Sequence, residues 1–400
     1  MVQPLVMILV CLVGSYIFSH LLRKIGIPTT VGQITTGLIL GIAAIKTQLF
    51  NPENLTLLSF LANLGVILLF YYVGLETNIK AFTKNIKKSA LISMFNTFLP
   101  LIVGFSIMKF VLHYNIMISL IIGVCLSVSA QSISLSLLNE LGMLKSKLGS
   151  MIIATGAVDD TFEMILTTLL LSVFHVAVTK LNIFNFLLDM SLFLVIIIVA
   201  RLWAIPYALK FIDKEKSSTA RFMGSLIILL MIASLSEYLG VGVLIGAMIA
   251  GMLIRQTIIK EVAIPNWEEH DIARSIHIIA FGFLIPLFFV WIGLNTDVST
   301  IAGNIWFIIL LFVIATVGTV GGTIIAIWLN KGTLAEGMLL GWGLNPKGDV
   351  ELIIAALALN AAIITQGIFT ALVVMSMLTM LVSPIIFKRL VYVHRRKMVG

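Results

Sequence analysis

Charge is scarce in this chain: Asp, Glu, Lys and Arg make up only 11% of the 400 residues. That scarcity excludes a soluble globular fold, because a chain that is 60% hydrophobic cannot cover its surface with polar groups. Cysteine is almost absent. Cys11 and Cys125 both fall in apolar segments, so no disulfide framework and no redox compartment can be read from them. The six histidines (His20, His113, His175, His270, His277 and His394) are scattered without metal-ligand spacing, which argues against an imidazole metal centre. Short apolar/polar alternation is also missing, so a membrane β-barrel is disfavoured. The remaining class is an all-α polytopic membrane protein.

Thirteen apolar segments are legible, at roughly 4–22, 28–46, 55–75, 88–111, 114–138, 148–174, 185–212, 219–237, 239–258, 272–293, 303–329, 333–359 and 366–390. The first is no signal peptide, since nothing basic precedes it and Arg23 and Lys24 follow it. With the N-terminus outside and the C-terminus cytoplasmic, most Lys and Arg clusters fall on one face, from Arg23/Lys24 and Lys84/Lys87/Lys88 to the tail Lys388 to Lys397. The opposite loops hold only Lys46 and Lys180, with Lys109 near that face. Such asymmetry orients a multi-pass protein in the cell membrane. The net charge of +8 is therefore read as contact with the lipid bilayer, not with nucleic acid. The chain stops soon after the last segment, leaving an expectation of no soluble regulatory domain.

The glycine-rich openings VGQITTGLILG (31–41) and VGVLIGAMIAG (241–251) suggest two five-segment units, 2–6 and 9–13, related by inverted topology. Segments 5 and 12 then correspond, and both look interrupted. Segment 5 carries LSVSAQSISLS (126–136), with Ser129, Gln131 and Ser132 at its centre; segment 12 carries GWGLNPKGDVE (341–351), where Asn345-Pro346 and Gly348 should break the helix. Unwound backbone survives in a membrane only where protein or a wet cavity satisfies it. The freed carbonyls, hydroxyls and amides are hard oxygen ligands for a small cation. The bland alternative for the serines is close helix packing. For Lys347 it is compensation of converging helix C-termini.

The segment 151–174, MIIATGAVDDTFEMILTTLLLSVF, holds Asp159 and Asp160 near mid-membrane. One carboxylate at that depth costs roughly 2.5–3.5 kcal/mol on insertion scales. Two in succession call for a bound proton or cation. Neighbouring helix positions point about 100° apart, so the two cannot face one partner. Glu163 lies one turn on, within reach of either. A carboxylate pair in low dielectric can hold a proton and yield it to an arriving cation, which suffices for exchange.

GAVDD (156–160), the interrupted segments 5 and 12, the stretch LGVILLFYYVGLE (64–76) and the thirteen-segment plan resemble bacterial and archaeal sodium/proton antiporters of the cation:proton antiporter-2 group. The resemblance covers essentially the whole chain. It implies a homodimer, with a panel-like dimerisation domain (approximately 4–75 and 219–293), a core domain (approximately 88–174 and 303–390) and a linker helix (185–212). In the core the broken helices would cross beside the aspartates, and transport would be elevator-like. It further implies Asp160 as the main cation-binding carboxylate and a lysine partner for Asp159, with no cofactor beyond the transported Na+ or K+ and H+. The pattern departs in three places. Segment 11 contains no lysine; Lys347-Gly348-Asp349 stands where relatives more often carry Arg-Gly-Glu; and Glu163 replaces a small or apolar residue. Lys347, Glu163, Asp349 and Asn345 are thus candidates for coupling or dipole compensation, and the choice of ion stays open. The rival readings are a potassium efflux channel-like protein, a non-transporting ion sensor and, more remotely, an intramembrane aspartyl protease built on Asp160 and Gly348-Asp349. A secondary transporter, and not an enzyme, is expected.

Overall fold

The computed structural model describes residues 3–24, 26–76, 86–143, 146–179, 183–205, 207, 217–261, 271–348 and 350–399. Every regular element among them is a helix, as hydrocarbon demands of a chain that must satisfy its own backbone polar groups. In chain order these are α1 (Pro4–Arg23), α2 (Thr29–Leu40), α3 (Ala43–Leu49), α4 (Pro52–Glu76), α5 (Ile86–Ser106), α6 (Ile116–Ser127) and α7 (Gln131–Glu140). They continue with α8 (Lys147–Thr179), α9 (Ile183–Val199), α10 (Ser218–Tyr238), α11 (Val243–Glu261), α12 (Asp271–Ile279) and α13 (Ile285–Leu294). The last five are α14 (Ser299–Gly303), α15 (Ile305–Leu329), α16 (Leu334–Leu344), α17 (Val350–Asn360) and α18 (Gln366–Val399). Single π-helical turns, Ile107–Val111, Ala200–Ala204 and Ala280–Leu284, extend α5 and α9 and join α12 to α13.

Among the described residues seven spans are long and apolar enough to cross a bilayer: α1, α4, α5 with its π turn, α10, α12–α13, α15 and α18. The polytopic helical plan read from the sequence is therefore observed, but the segments are not uniform. The second, expected as one helix over 28–46, consists of α2 and α3 with an 86° bend between them. The cause is local. Gly41 caps α2 by returning its N–H to the carbonyls of Gly37 and Ile39, and it lies against the Leu294 carbonyl, 3.3 Å from where a Cβ would stand.

The chain divides into two compact units. Unit 1 comprises Met1–Leu12, Gln48–Ile79 and Thr168–Trp291. Its closest pair is α4 with α11. A Cβ on Gly74 would stand 2.1 Å from the Met248 carbonyl oxygen, and one on Gly251 would stand 2.2 Å from that of Tyr71. Only glycine permits that approach, and backbone-to-backbone dispersion replaces the solvent-driven association that lipid cannot supply. The buried Arg255 of α11 donates to the Leu75 carbonyl at 2.8 Å, placing a cation on the last turn of α4.

Unit 2 comprises Val13–Thr47, Lys80–Thr167 and Ile292–Gly400. Here α5 and α15 lie close, with Gly318 against Pro100 and Gly322 against the Phe95 carbonyl. An apolar cluster that includes Ile92, Leu138, Ile152, Leu340, Leu344 and Phe387 ties α5, α7, α8, α15, α16 and α18 together. This unit holds both interrupted segments.

Candidate functional site

Both interruptions are present, and they meet. The helix α6 ends at Ser127, and Val128 turns to extended backbone (φ −66°, ψ 139°) before α7 starts at Gln131. The helix α16 opens with a Thr333–Glu336 capping box and stops at Leu344. Pro346, which has no N–H to offer, and Gly348 keep residues 345–348 non-helical, and α17 starts at Val350. Each break satisfies the other. The Ala130 N–H donates to the Pro346 carbonyl at 2.7 Å, the Ser134 hydroxyl donates to the Gly343 carbonyl, and the Cys125 thiol approaches the Glu351 carbonyl at 3.5 Å. Backbone that would be intolerable in lipid is thus made tolerable inside the protein.

Charge follows the helix ends. Lys347 is fully buried. Its ammonium donates to the Val128 carbonyl at 2.9 Å and to the Thr319 hydroxyl at 3.4 Å, which places a cation at the C-terminus of α6. Its own backbone N–H is taken by the Thr379 hydroxyl at 3.1 Å. The Glu163 carboxylate accepts the Ser129 N–H just ahead of α7, putting an anion at that helix's N-terminus. Glu351, buried in the first turn of α17, accepts the Ser376 hydroxyl at 3.1 Å. Glu351, Glu163 and Asp159 lie near enough to act on Lys347 electrostatically. Asn345 braces the second break, its amide donating to the hydroxyls of Ser383 at 2.9 Å and Thr316 at 3.4 Å.

Asp159 is fully buried on α8 and faces α5. Its carboxylate accepts the Ser93 hydroxyl at 2.9 Å, the Asn96 amide at 2.6 Å and the Thr97 hydroxyl. The Asn96 amide also reaches the Ser129 hydroxyl at 3.4 Å, tying the aspartate to the first break. Asp159, Glu163, Ser129, Asn345 and Lys347 are therefore gathered in unit 2 around one crossing. Asp160 takes the next position on α8; its side chain, those of Gln131 and Ser132, and Asp349 altogether lie outside the described residues. Sequence reasoning missed Ser93, Asn96, Thr97, Thr319 and Glu351 as members. For the α5 trio a signal existed: polar residues at i, i+3 and i+4 of an apolar segment share one helix face.

Carboxylates, hydroxyls and amide oxygens gathered around broken helices form a donor set suited to a small cation. Residues 7–393 match the family described as sodium/hydrogen exchanger, transmembrane, and the chain belongs to it. It is 28% identical over 377 residues to the Na(+)/H(+)-K(+) antiporter GerN of Bacillus cereus, covering 94% of this chain and 93% of that one. To the Na(+)/H(+) antiporter of Enterococcus hirae it is 27% identical over 379 residues, covering 94% and 95%. Its fold matches the structure of the sodium proton antiporter MjNhaP1 from Methanocaldococcus jannaschii at pH 8, with a TM-score of 0.65 and 14% identity over 96% of this chain and 97% of that one.

Proposed function

We propose that the chain is a secondary antiporter that exchanges a monovalent cation, Na+ or K+, for H+ at the Asp159–Asp160 pair. The observation that carries this reading is the buried Asp159, held by three donors from α5 and linked through Asn96 to the first helix break. The pair binds either a proton or a partly dehydrated cation, never both at full occupancy, and this competition couples the two fluxes. Asp160 serves as the main cation ligand, with Asp159 and the Ser129 hydroxyl beside it; Gln131 and Ser132 at the start of α7 complete the set. Asp159 is the fixed member, since its orientation is set by Ser93, Asn96 and Thr97. Lys347 and Glu163 compensate the exposed helix ends and hold the crossing in shape. Asn345 and Asp349 are assigned to the same coupling or dipole-compensating role.

The wider picture is an inverted-repeat homodimer in the cell membrane, with its N-terminus outside and its C-terminus cytoplasmic. An elevator-type displacement of the ion-binding core exposes the site to each side in turn. The core/panel division over 88–174 with 303–390 and 4–75 with 219–293 belongs to this proposal.

Cation-induced ΔpH change in proteoliposomes, scanned over Na+, K+ and Li+, tests the reading. Wild type should exchange at least one of them and Asp160→Asn none. Because H+ competes, the apparent KM for the cation should fall as pH rises, approaching tenfold per unit where the site is mostly protonated. A KM independent of pH, or exchange that survives in Asp160→Asn, would sink it.

A further inference from the structure

Four buried polar residues lie at intervals of four along α8: Thr155 (0% exposed), Asp159 (0%), Glu163 (5%) and Thr167 (2%). Positions four apart occupy one face, so this row runs about 18 Å along the helix at 1.5 Å per residue. Its two threonines behave unlike others in the protein. A buried threonine in an apolar helix ordinarily returns its hydroxyl to the carbonyl four residues back, as Thr36 does to Gly32, Thr257 to Leu253 and Thr323 to Thr319. The hydroxyls of Thr155 and Thr167 make no such bond and have no partner among the described residues. An unsatisfied buried hydroxyl costs about 1–3 kcal/mol, so two on the face that carries both carboxylates require an explanation. A bound water would supply it, since a buried water pairs groups that the protein leaves open.

We propose that the Thr155–Asp159–Glu163–Thr167 face of α8 is a hydrated proton path, with Glu163 as a relay carboxylate between the aspartates and the Thr167 end. Glu163 accepts the Ser129 N–H. In the relay its carboxylate takes a proton from a water at Thr167 and gives one to a water on the Asp159 side. One proton enters and one leaves, so the carboxylate is restored. The destination of the proton rests on the antiport reading; the hydration of the path does not.

The two parts are therefore tested separately. In a background with Cys11 and Cys125 replaced by alanine, Thr155→Cys and Thr167→Cys should react with a small methanethiosulfonate reagent at least about tenfold faster than Ile152→Cys. Ile152 is equally buried on the same helix but lies in the apolar cluster. Water is needed to form the reactive thiolate, so wet positions label and dry ones do not. Rates no faster than that of Ile152→Cys would overturn the hydrated path. The near-isosteric Thr167→Val should slow exchange at saturating cation about fivefold or more with the cation KM unchanged, and Thr167→Ser should restore it. Full speed in Thr167→Val would overturn the relay. Labelling of both cysteines, with a wild-type protein that exchanges no cation, would refute the antiport reading and support the path.

Discussion

Lys347 and Arg255 meet the same local need in the two units. Each is a buried cation reaching a backbone carbonyl at the end of a helix from another segment: Lys347 to Val128 in unit 2, and Arg255 to Leu75 in unit 1. The surroundings differ. Arg255 sits on α11, whose contact with α4 is glycine against backbone, at Gly74 and Gly251. Lys347 sits in a break, under the influence of Glu351, Glu163 and Asp159. In unit 1 a charge finishes a tight helix pair. Among the described residues at the crossing in unit 2, one lysine faces three buried carboxylates, and such an excess of acid favours the uptake of a cation or a proton. Under the antiport proposal, the same hydrogen bond serves stability in one place and exchange in the other.

The comparison is broken most severely at Lys347. Replacement by methionine keeps most of the volume but leaves the carboxylates without their counter-charge. Removing one partner from a buried charge network costs about 3–5 kcal/mol. Lys347→Met should therefore unfold in detergent at a much lower temperature than wild type, and adding Glu351→Gln should recover a substantial part of the loss. If the double variant is no more stable than the single one, the charge-balance account fails.

The next largest effect belongs to unit 1. At Gly251 a side chain meets the Tyr71 carbonyl and the Leu75 amide, neither of which can yield without moving α4. Gly251→Val should lower stability by about 1–3 kcal/mol or more, as overpacking does. Exchange per folded molecule should change little, because the strain falls on α4 and α11. A variant that folds normally yet exchanges nothing would show that the glycine pair serves transport and not packing.

A smaller and more selective loss is expected at Asn96. Its amide donates to Asp159, and a hydrogen bond to a charged group contributes about 1.5–3 kcal/mol. With Asn96→Ala the carboxylate loses a donor that supports its charge, so the proton competes better. The apparent cation KM should rise about tenfold or more while the maximal rate changes less. A cycle with Ser129→Ala would reveal whether the Asn96 contact to that hydroxyl contributes to the same effect.

Much of unit 2 was readable because its unusual residues violate local rules. Asn345-Pro346 and Gly348 cannot continue a helix, serines cluster at 127–136, and two aspartates sit in an apolar run; each is a conflict between residue and environment. What was not readable is pairing. Nothing in the spacing says that Lys347 would donate to Val128, that Glu163 would take the Ser129 N–H, or that Ser93, Asn96 and Thr97 would surround Asp159. Those contacts join residues more than 30 positions apart and depend on how helices cross. The 86° bend after Leu40 was hidden for another reason. The glycine at 41 looks like the packing glycines at 32 and 37, and nothing in the sequence marks it as the cap of α2 or places it against Leu294. Glu351 was not singled out, because nothing in GWGLNPKGDVE marks its last residue as a buried acid.

The smallest effect sharpens the comparison best, because it asks whether Arg255 is more than a cap. A cation at a helix C-terminus contributes about 0.3–1 kcal/mol when exposed and up to about 2 when partly buried. Arg255→Lys keeps the charge and shortens the reach, so it should lose less than about 1 kcal/mol; Arg255→Gln, which loses the charge but can still donate, should lose somewhat more. Both should exchange at the wild-type rate with unchanged cation KM. Lys347→Arg makes the opposite case. It also keeps its charge, but the guanidinium is planar and forked where the ammonium meets Val128 and Thr319 from one point. That variant should fold and yet change the exchange rate. Thermal melts and proteoliposome rates on these three proteins separate a charge that holds a helix end from one that also sets the field around an exchanging ion. Equal behaviour of Arg255→Lys and Lys347→Arg would erase the distinction between the two units.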